Sequence, residues 1–160
     1  MRKIISIAVV ALLASSMSAQ TIANMKDLNA EKKSAAINLK LTGTLTTTRN
    51  SDFRQLRDLC WQLRNLDLSE ATCPVLPKNA FHSRHHLQHV VLPNQLQEIG
   101  TQAFFACDNL QEVVIPKSVT KVGAVAFSGC KSLKAITIEG APEIGHPALH
   151  SARQTDAIQP

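Results

Sequence analysis

Apolar and polar positions recur at a fixed distance along the second half of the chain. Segment 92–115 reads LPNQLQEIGTQAFFACDNLQEVVI, and segment 115–138 reads IPKSVTKVGAVAFSGCKSLKAITI. The two copies match with an offset of 23, because Phe104 corresponds to Phe127. In each copy an alternation of apolar and polar residues predicts a short strand, and turn-forming residues separate the strands. A degenerate copy spans residues 73–92, so the sequence predicts a stack of equivalent units, called rungs below.

A period between about 20 and 29 residues, combined with the spacing L-x-x-V-x-I, is typical of a leucine-rich repeat. The predicted fold class is therefore an α/β solenoid of short leucine-rich repeats, with a period of about 23 residues and an N-terminal strand–helix cap. The residues predicted to fill equivalent core positions are Phe81, Phe104, Phe127, Cys107 and Cys130. Gly100, Gly123 and Gly145 recur in the turns, where we predict backbone conformations that other residues avoid.

The region before the repeats has a different pattern. Ile37, Leu39 and Leu41 alternate with polar residues and predict a strand that ends at Thr42-Gly43. Ser51 is placed to cap a helix. The apolar residues predicted to lie on one face of this helix are Phe53, Leu56, Leu59, Cys60 and Leu63. A further short strand is predicted for residues 65–69 (NLDLS), and the whole unit would cover the apolar end of the solenoid.

The first 19 residues have the pattern of a secretory signal peptide. Arg2 and Lys3 form the positive start, residues 4–14 are apolar, and small residues up to Ala19 form a cleavage site. The apolar stretch is shorter than the roughly 20 residues of a membrane span, and a buried N-terminal helix is the alternative interpretation. We therefore predict a protein that is secreted, periplasmic or at the cell surface. The predicted division of the chain is a signal peptide (1–19), a leader or linker (20–35), the cap with the first repeat strand (36–72), the repeats (73–152) and a polar tail (153–160).

Residues that alternate with core positions in the strands are predicted to point outward. Because Val113 and Ile115 face the core, Glu112 and Val114 face away from it. Neighbouring strands lie about 4.8 Å apart, so the outward residues of successive rungs form a continuous surface of two columns. Solenoids bind partners through such extended faces. The residues predicted to form the binding face are Asp67, His89, Val91, Glu112, Val114, Ala135 and Thr137.

The C-terminal end of the repeats is incomplete in its pattern. Residues 143–152 (EIGHPALHSA) repeat the start of a rung, and we predict that no closing strand follows. The strand at 135–139 would then be a sheet edge, which invites pairing with another chain. Residues 143–152 are predicted to cover this edge as an irregular lid, because Ile144 and Leu149 repeat the inward spacing of the preceding rung. Self-association of two molecules at the C-terminal edge is the alternative.

Composition excludes several function classes. The chain has 160 residues and a net charge of +5, which falls to +3 without Arg2 and Lys3 of the predicted signal peptide. A charge of +3 is too mild and too well mixed for a nucleic-acid-binding surface. No apolar run approaches the length of a membrane span. The sequence also lacks G-x-S-x-G, H-E-x-x-H and a glycine-rich phosphate loop. We therefore predict neither an enzyme nor a cofactor site.

Cysteines and histidines are the remaining candidates for chemistry. Cys60, Cys73, Cys107 and Cys130 are an even number, which permits disulfides in an exported protein, but all four fall at inward positions and we predict buried free thiols. Arg84 occupies the repeat position of Cys107, which we interpret as an adaptation to the neighbouring cap. The histidines that would form a metal site in an alternative interpretation are His82, His85, His86 and His89. Their repeat positions predict scattered surface residues instead, with no metal site.

The recurrent motif IPxSVTxIGxxAFxxCxxLxxVxI resembles the BspA-like leucine-rich repeats of bacterial secreted and surface proteins. The segments LTGTL, DFRQLRDL and LDLS resemble the N-terminal cap of such proteins, so the resemblance covers roughly residues 36–149. It implies an interaction module or adhesin, since some members are regarded as binding host matrix proteins. The predicted function is an exported module for protein–protein interaction or adhesion at the bacterial surface, with a host extracellular-matrix protein as candidate partner. The alternatives are a periplasmic metal-binding protein that uses the histidines, and a structural repeat remnant without a dedicated ligand.

Overall fold

The computed structural model describes residues 21–47, 51–149 and 158–159, so the predicted signal peptide lies outside the described residues. Two helices belong to the cap, α1 (Ala30–Ala35) and α2 (Asp52–Leu59), and a 3-10 turn spans Met25–Asp27. The strands in chain order are β1 (Thr21–Ala23), β2 (Asn38–Thr44), β3 (Asn65–Thr72), β4 (Val75–Leu76), β5 (His89–Val91), β6 (Glu98–Ile99), β7 (Glu112–Ile115), β8 (Lys121–Val122), β9 (Ala135–Ile138), β10 (Glu143–Ile144) and β11 (Ile158–Gln159).

The strands form two parallel sheets that run the length of the molecule. The larger sheet has seven strands in the order β1-β2-β3-β5-β7-β9-β11, and the smaller has four in the order β10-β8-β6-β4. From β4 onward each rung contributes one strand to each sheet, whereas β1, β2 and β3 belong to the larger sheet alone. Strands of successive rungs therefore lie side by side in the same sheet. The result is a β-solenoid of about five turns with a period of about 23 residues, which confirms the predicted fold class. Within the described ranges the α-helices are confined to the cap, which is a minor part of the fold.

A ladder of stacked phenylalanines fills the core of the rungs. The ring centroids of Phe81 and Phe104 are 5.2 Å apart, and those of Phe104 and Phe127 are also 5.2 Å apart. At the cap end, Phe53 of α2 meets Phe81 edge-on with centroids at 5.9 Å. All four rings are buried. The cap therefore continues the core of the solenoid with a different ring geometry.

Two apolar residues of the cap that the sequence predicts to face the core are partly exposed instead. Ile37 is 44% exposed, because the chain bends at this residue and β2 begins only at Asn38. Leu59 is 40% exposed, because α2 ends there and Cys60 already has non-helical backbone angles. The predicted cap residue is correct, since the Ser51 hydroxyl accepts a hydrogen bond from Arg54 N at 3.2 Å.

The strand predicted to end at Thr42-Gly43 continues to Thr44. Its pairing with β3 shifts register between Lys40 and Thr42, which indicates a bulge. The extra residue lies in β3, because one residue separates Lys40 from Thr42 and two separate Asp67 from Glu70. Gly43 follows the shift and has a φ of +80°, a backbone conformation that glycine adopts readily.

The repeat glycines have a different role from the one predicted. Gly100, Gly123 and Gly145 do not have positive φ angles. The left-handed turn positions are instead held by two series, each repeating every 23 residues: Asn79, Gln102 and Val125, and then Ser83, Ala106 and Gly129. A Cβ atom on Gly123 would lie 2.7 Å from the carbonyl carbon of Gly100. The glycines are therefore required because the backbones of adjacent rungs approach each other too closely for a side chain.

The prediction that no closing strand follows residue 152 is wrong. β11 pairs in parallel with β9 through Ile158 and Ile136, so the β9 edge is covered by the end of the chain. The segment DAIQ (156–159) repeats KAIT (134–137), but with an offset of 22 that conceals it from a search at 23. Residues 143–149 do not form a lid on β9, since β10 pairs with β8 in the smaller sheet. Leu149 is buried as predicted, whereas Ile144 is 43% exposed.

Candidate functional site

The outward residues of the larger sheet form two columns, and we call this surface the outer face. In the first column, His89 of β5 is in register with Asn65 on one side and Glu112 on the other, and Glu112 is in register with Ala135. In the second, Asp67 is in register with Val91, and Val114 with Thr137. The sheet thus places all seven residues of the predicted face in two adjoining rows. The columns also extend into β2 through Asn38 and Lys40, which the sequence analysis missed because the offset there is 27 rather than 23.

At the cap end of the outer face the side chains are polar and pair with one another. Lys40 Nζ lies 2.6 Å from Glu70 Oε1 and 3.8 Å from Asp67 Oδ2. The hydrogen bond with Glu70 raises the pKa of Lys40, and Asp67 adds to this effect. In the first column, Asn65 Nδ2 donates to Asn38 Oδ1. These side chains already have partners and offer few free groups to another molecule.

In the middle of the outer face, the charge of one carboxylate, Glu112, is not neutralised by any described side chain. Burial lowers the pKa of His89, and the nearby Glu112 opposes this shift without reversing it. His89 is therefore neutral at pH 7 and does not cancel the charge of Glu112. Glu112 is exposed and has no cation within ion-pair distance in the described ranges.

Beside this carboxylate the second column is aliphatic. Val91 and Val114 are half-buried and follow Asp67 along the column, and Thr137 comes next. Half-buried aliphatic side chains next to one unpaired charge can contact a protein through both apolar packing and an ion pair.

The thiols form a buried ladder on the inside of the rungs. Cys107 Sγ donates to Phe81 O at 3.0 Å, and Cys130 Sγ donates to Phe104 O at 3.1 Å. Cys73 Sγ donates to Val75 O at 3.0 Å. All four cysteines are free and buried, as predicted.

Burial also raises the pKa of each of the four thiols. Burial raises the pKa of Cys60 and of Cys73 to about 11, and that of Cys130 to about 12. The pKa of Cys107 is raised further by burial and by its neighbour Cys130. Because the thiolate is the nucleophile, burial makes these thiols poor nucleophiles. The Cys107 and Cys130 thiols instead link adjacent rungs through their hydrogen bonds.

Arg84 interrupts the thiol ladder where the cap meets the rungs. Leu63 N donates to Cys60 O at 3.1 Å, as Leu110 N donates to Cys107 O at 3.0 Å, so Cys60 is the first member of the ladder. Sequence reasoning missed this equivalence because the cap rung is longer. Arg84 Nη1 donates to Arg57 O in the last turn of α2. The guanidinium thus satisfies a carbonyl that the helix leaves unpaired, which a thiol is too short to reach.

The histidines are held apart by separate partners. His82 stacks on Phe105 with ring centroids at 5.1 Å, and His85 Nδ1 lies 2.8 Å from Asp108 Oδ2. His86 meets Trp61 edge-on at 6.5 Å, while His89 lies on the outer face. In the part of the chain that the structure describes, no three His, Cys, Asp or Glu residues converge in a way that would hold a metal ion. No helix in the same part is long and apolar enough to cross a membrane.

Comparison with known proteins identifies the repeat family and a protein of similar fold. The sequence model described as "BspA type Leucine rich repeat region" matches residues 21–134 and 74–157, with six copies. No curated protein matches at a significant level. A leucine-rich repeat protein of T. pallidum (TpLRR) is 18% identical with a TM-score of 0.54, and the alignment covers 88% of this chain and 78% of that one. A leucine-rich repeat protein from Bacteroides ovatus ATCC 8483 is 19% identical with a TM-score of 0.42, covering 74% and 36% respectively. At these identities the first likeness supports the fold alone.

Proposed function

Because the chain belongs to the BspA-type leucine-rich repeat family, we propose that it is an exported module that binds a protein through the outer face. Leucine-rich repeat proteins are typically non-enzymatic interaction modules, and the chemistry of this face agrees with that role. The residues that we propose as the contact set are Asp67, His89, Val91, Glu112, Val114, Ala135 and Thr137.

One observation carries this proposal. Val91 and Val114 stand half-exposed in one column, and Glu112 lies in the adjoining column with an uncompensated charge. On the smaller sheet, by contrast, Glu98 Oε1 is paired with Lys121 Nζ at 3.2 Å. An apolar centre with a polar rim is the usual anatomy of a protein interface. We propose a host extracellular-matrix protein as the partner, with adhesion at the bacterial surface as the outcome.

Substitution of Val114 by lysine tests the face directly. The new charge would have to be desolvated at the centre of the interface, so we expect the affinity for the matrix partner to fall about tenfold or more. The matched control is Val75→Lys, the same substitution at a half-buried strand position of the smaller sheet. Binding of both variants and of the unaltered protein would be measured against immobilised collagen, laminin and fibronectin. Equal loss in the two variants, or no saturable binding to any of the three proteins, would reject the proposal.

Export depends on residues 1–19, which precede the described part of the chain. We expect the full-length protein, expressed in a bacterial host, to be recovered outside the cytoplasm with Gln20 as its first residue. Intact-mass measurement of each cell fraction checks this outcome. Protein that keeps residues 1–19 and stays in the cytoplasm would contradict export without affecting the binding test.

A further inference from the structure

The outer face presents one charge and one apolar position at a fixed separation on the same strand. Glu112 and Val114 of β7 alternate with the buried Val113 and therefore both point outward. Two strand rises separate their side chains by about 6.6 Å. We propose that the outer face recognises an extended segment of its partner in which a basic and an apolar residue are separated by one residue. Because this segment is held by the outer face, the assignment rests on the proposed function.

The charge of Glu112 favours a basic residue in the partner. No described cation lies within ion-pair distance of its exposed carboxylate, and this includes Lys134 at the start of the next strand. Its neighbours in the first column do not compete for an incoming cation. Ala135 has no polar side chain, and His89 is neutral at pH 7 because burial lowers its pKa. Complementary charge across an interface selects the partner, so a basic side chain is accepted here and an acidic one is rejected.

The apolar part of the outer face has room for one side chain. Val91 and Val114 are half-buried, and they follow the paired residues His89 and Glu112 by two positions. Along the second column Asp67 bounds these valines on one side, and Thr137 bounds them on the other. The two valines therefore form a small apolar spot that ends at a polar group in both directions, which suits a single aliphatic side chain.

The size of this spot favours an extended segment over a helix. A docked amphipathic helix uses anchors at positions i, i+4 and i+7, which extend over about 10.5 Å. Val91 and Val114 lie on neighbouring strands and are separated by only about 4.8 Å. In an extended segment, residues i and i+2 point to the same side with the strand spacing. That spacing matches the separation of Glu112 and Val114, so one segment lying along β7 can contact both.

The test is a selection of random heptapeptides displayed on phage against the immobilised full chain. We expect enrichment of sequences in which Lys or Arg and an aliphatic residue are separated by one residue, in either order along the peptide. The same selection against Glu112→Lys should enrich Asp or Glu in place of the basic residue, because the charge on the face is reversed. A peptide enriched by the unaltered protein should bind Glu112→Lys about tenfold more weakly or worse, as measured by calorimetry.

The matched control is Glu143→Lys, the same charge reversal at the first residue of a strand in the smaller sheet. Glu143 is exposed like Glu112, but it is in register with Lys121 and not with apolar residues. We expect this variant to enrich the same sequences as the unaltered protein and to bind them within about twofold. A further variant, Val114→Ser, should keep the preference for a basic residue and lose the preference for an aliphatic one. Thermal melting of each variant confirms that it is folded.

The outcomes separate the recognition rule from the proposed function. Enrichment of the same sequences by the unaltered protein and by Glu112→Lys, or no enrichment over the blank support, would overturn the recognition rule. Binding to matrix proteins that is lost in Val114→Lys but kept in Glu112→Lys would also overturn it, while the outer face would remain the binding surface. Enrichment of the expected sequences without binding to any of the matrix proteins would support the rule and reject the matrix partner.

Discussion

Replacing Phe104 with alanine is expected to lower the free energy of unfolding by about 3–5 kcal/mol, the range for buried phenylalanines. Phe104 is fully buried and stacks on Phe81 and on Phe127, each with ring centroids 5.2 Å away. Its removal would leave a cavity and break two aromatic contacts, which contribute beyond their buried area. A loss of this size is a large share of the stability of a domain. Urea denaturation gives the quantity directly.

The matched control is Phe105→Ala, which removes the same side chain from the next residue. Phe105 is half-buried and stacks on His82 with centroids at 5.1 Å. We expect its removal to cost about 1 kcal/mol, because one ring contact is lost and no core cavity forms. Similar losses in the two variants, or a loss under about 1 kcal/mol for Phe104→Ala, would show that the register of the rungs is wrong.

Gly123→Ala is expected to destabilise the protein by about 3 kcal/mol or more, at the upper end of the range for overpacking. The added Cβ would overlap Thr101 N and approach the Gly100 carbonyl carbon at 2.7 Å. These are backbone atoms of the preceding rung, so no side-chain rotation can relieve the overlap. Replacing glycine by alanine restricts the unfolded chain and stabilises by only about 0.4–1 kcal/mol, which is too little to compensate.

A graded control is available at Gly140. Its added Cβ would meet Lys117 O at 3.0 Å in an exposed loop, where a small movement of the chain suffices. We expect Gly140→Ala to lose less than about 1 kcal/mol in the same urea experiment. If Gly123→Ala were equally mild, close approach between rungs would not be the reason for the glycine.

The repeat pattern by itself determined the architecture and the division of residues between core and surface. A solenoid repeats one backbone geometry, so an offset of 23 between Phe104 and Phe127 fixes which residues stack and which alternate outward. The buried thiols and the placement of the outer face followed from the same rule. These features depend on local periodicity, which a single sequence displays fully.

Tertiary structure alone decided the features at the two ends. The paired strands there have sequence offsets of 18, of 27 to 28, of 24 and of 22, so residues that stack in space are not recognisable at one period. For this reason β11 was missed, and the ladder position of Cys60 was hidden. The role of Arg84 likewise depends on its reach to the end of α2, a contact between elements that no spacing in the sequence encodes.

The outer face could be predicted from the sequence because its members occupy two outward positions that recur from rung to rung. By contrast, the requirement for Gly123 was correct in position but wrong in cause, because the distance between two backbones is set by packing of the rungs. Periodicity specifies stacking within the solenoid, whereas contacts between unlike elements exist only once the chain is folded.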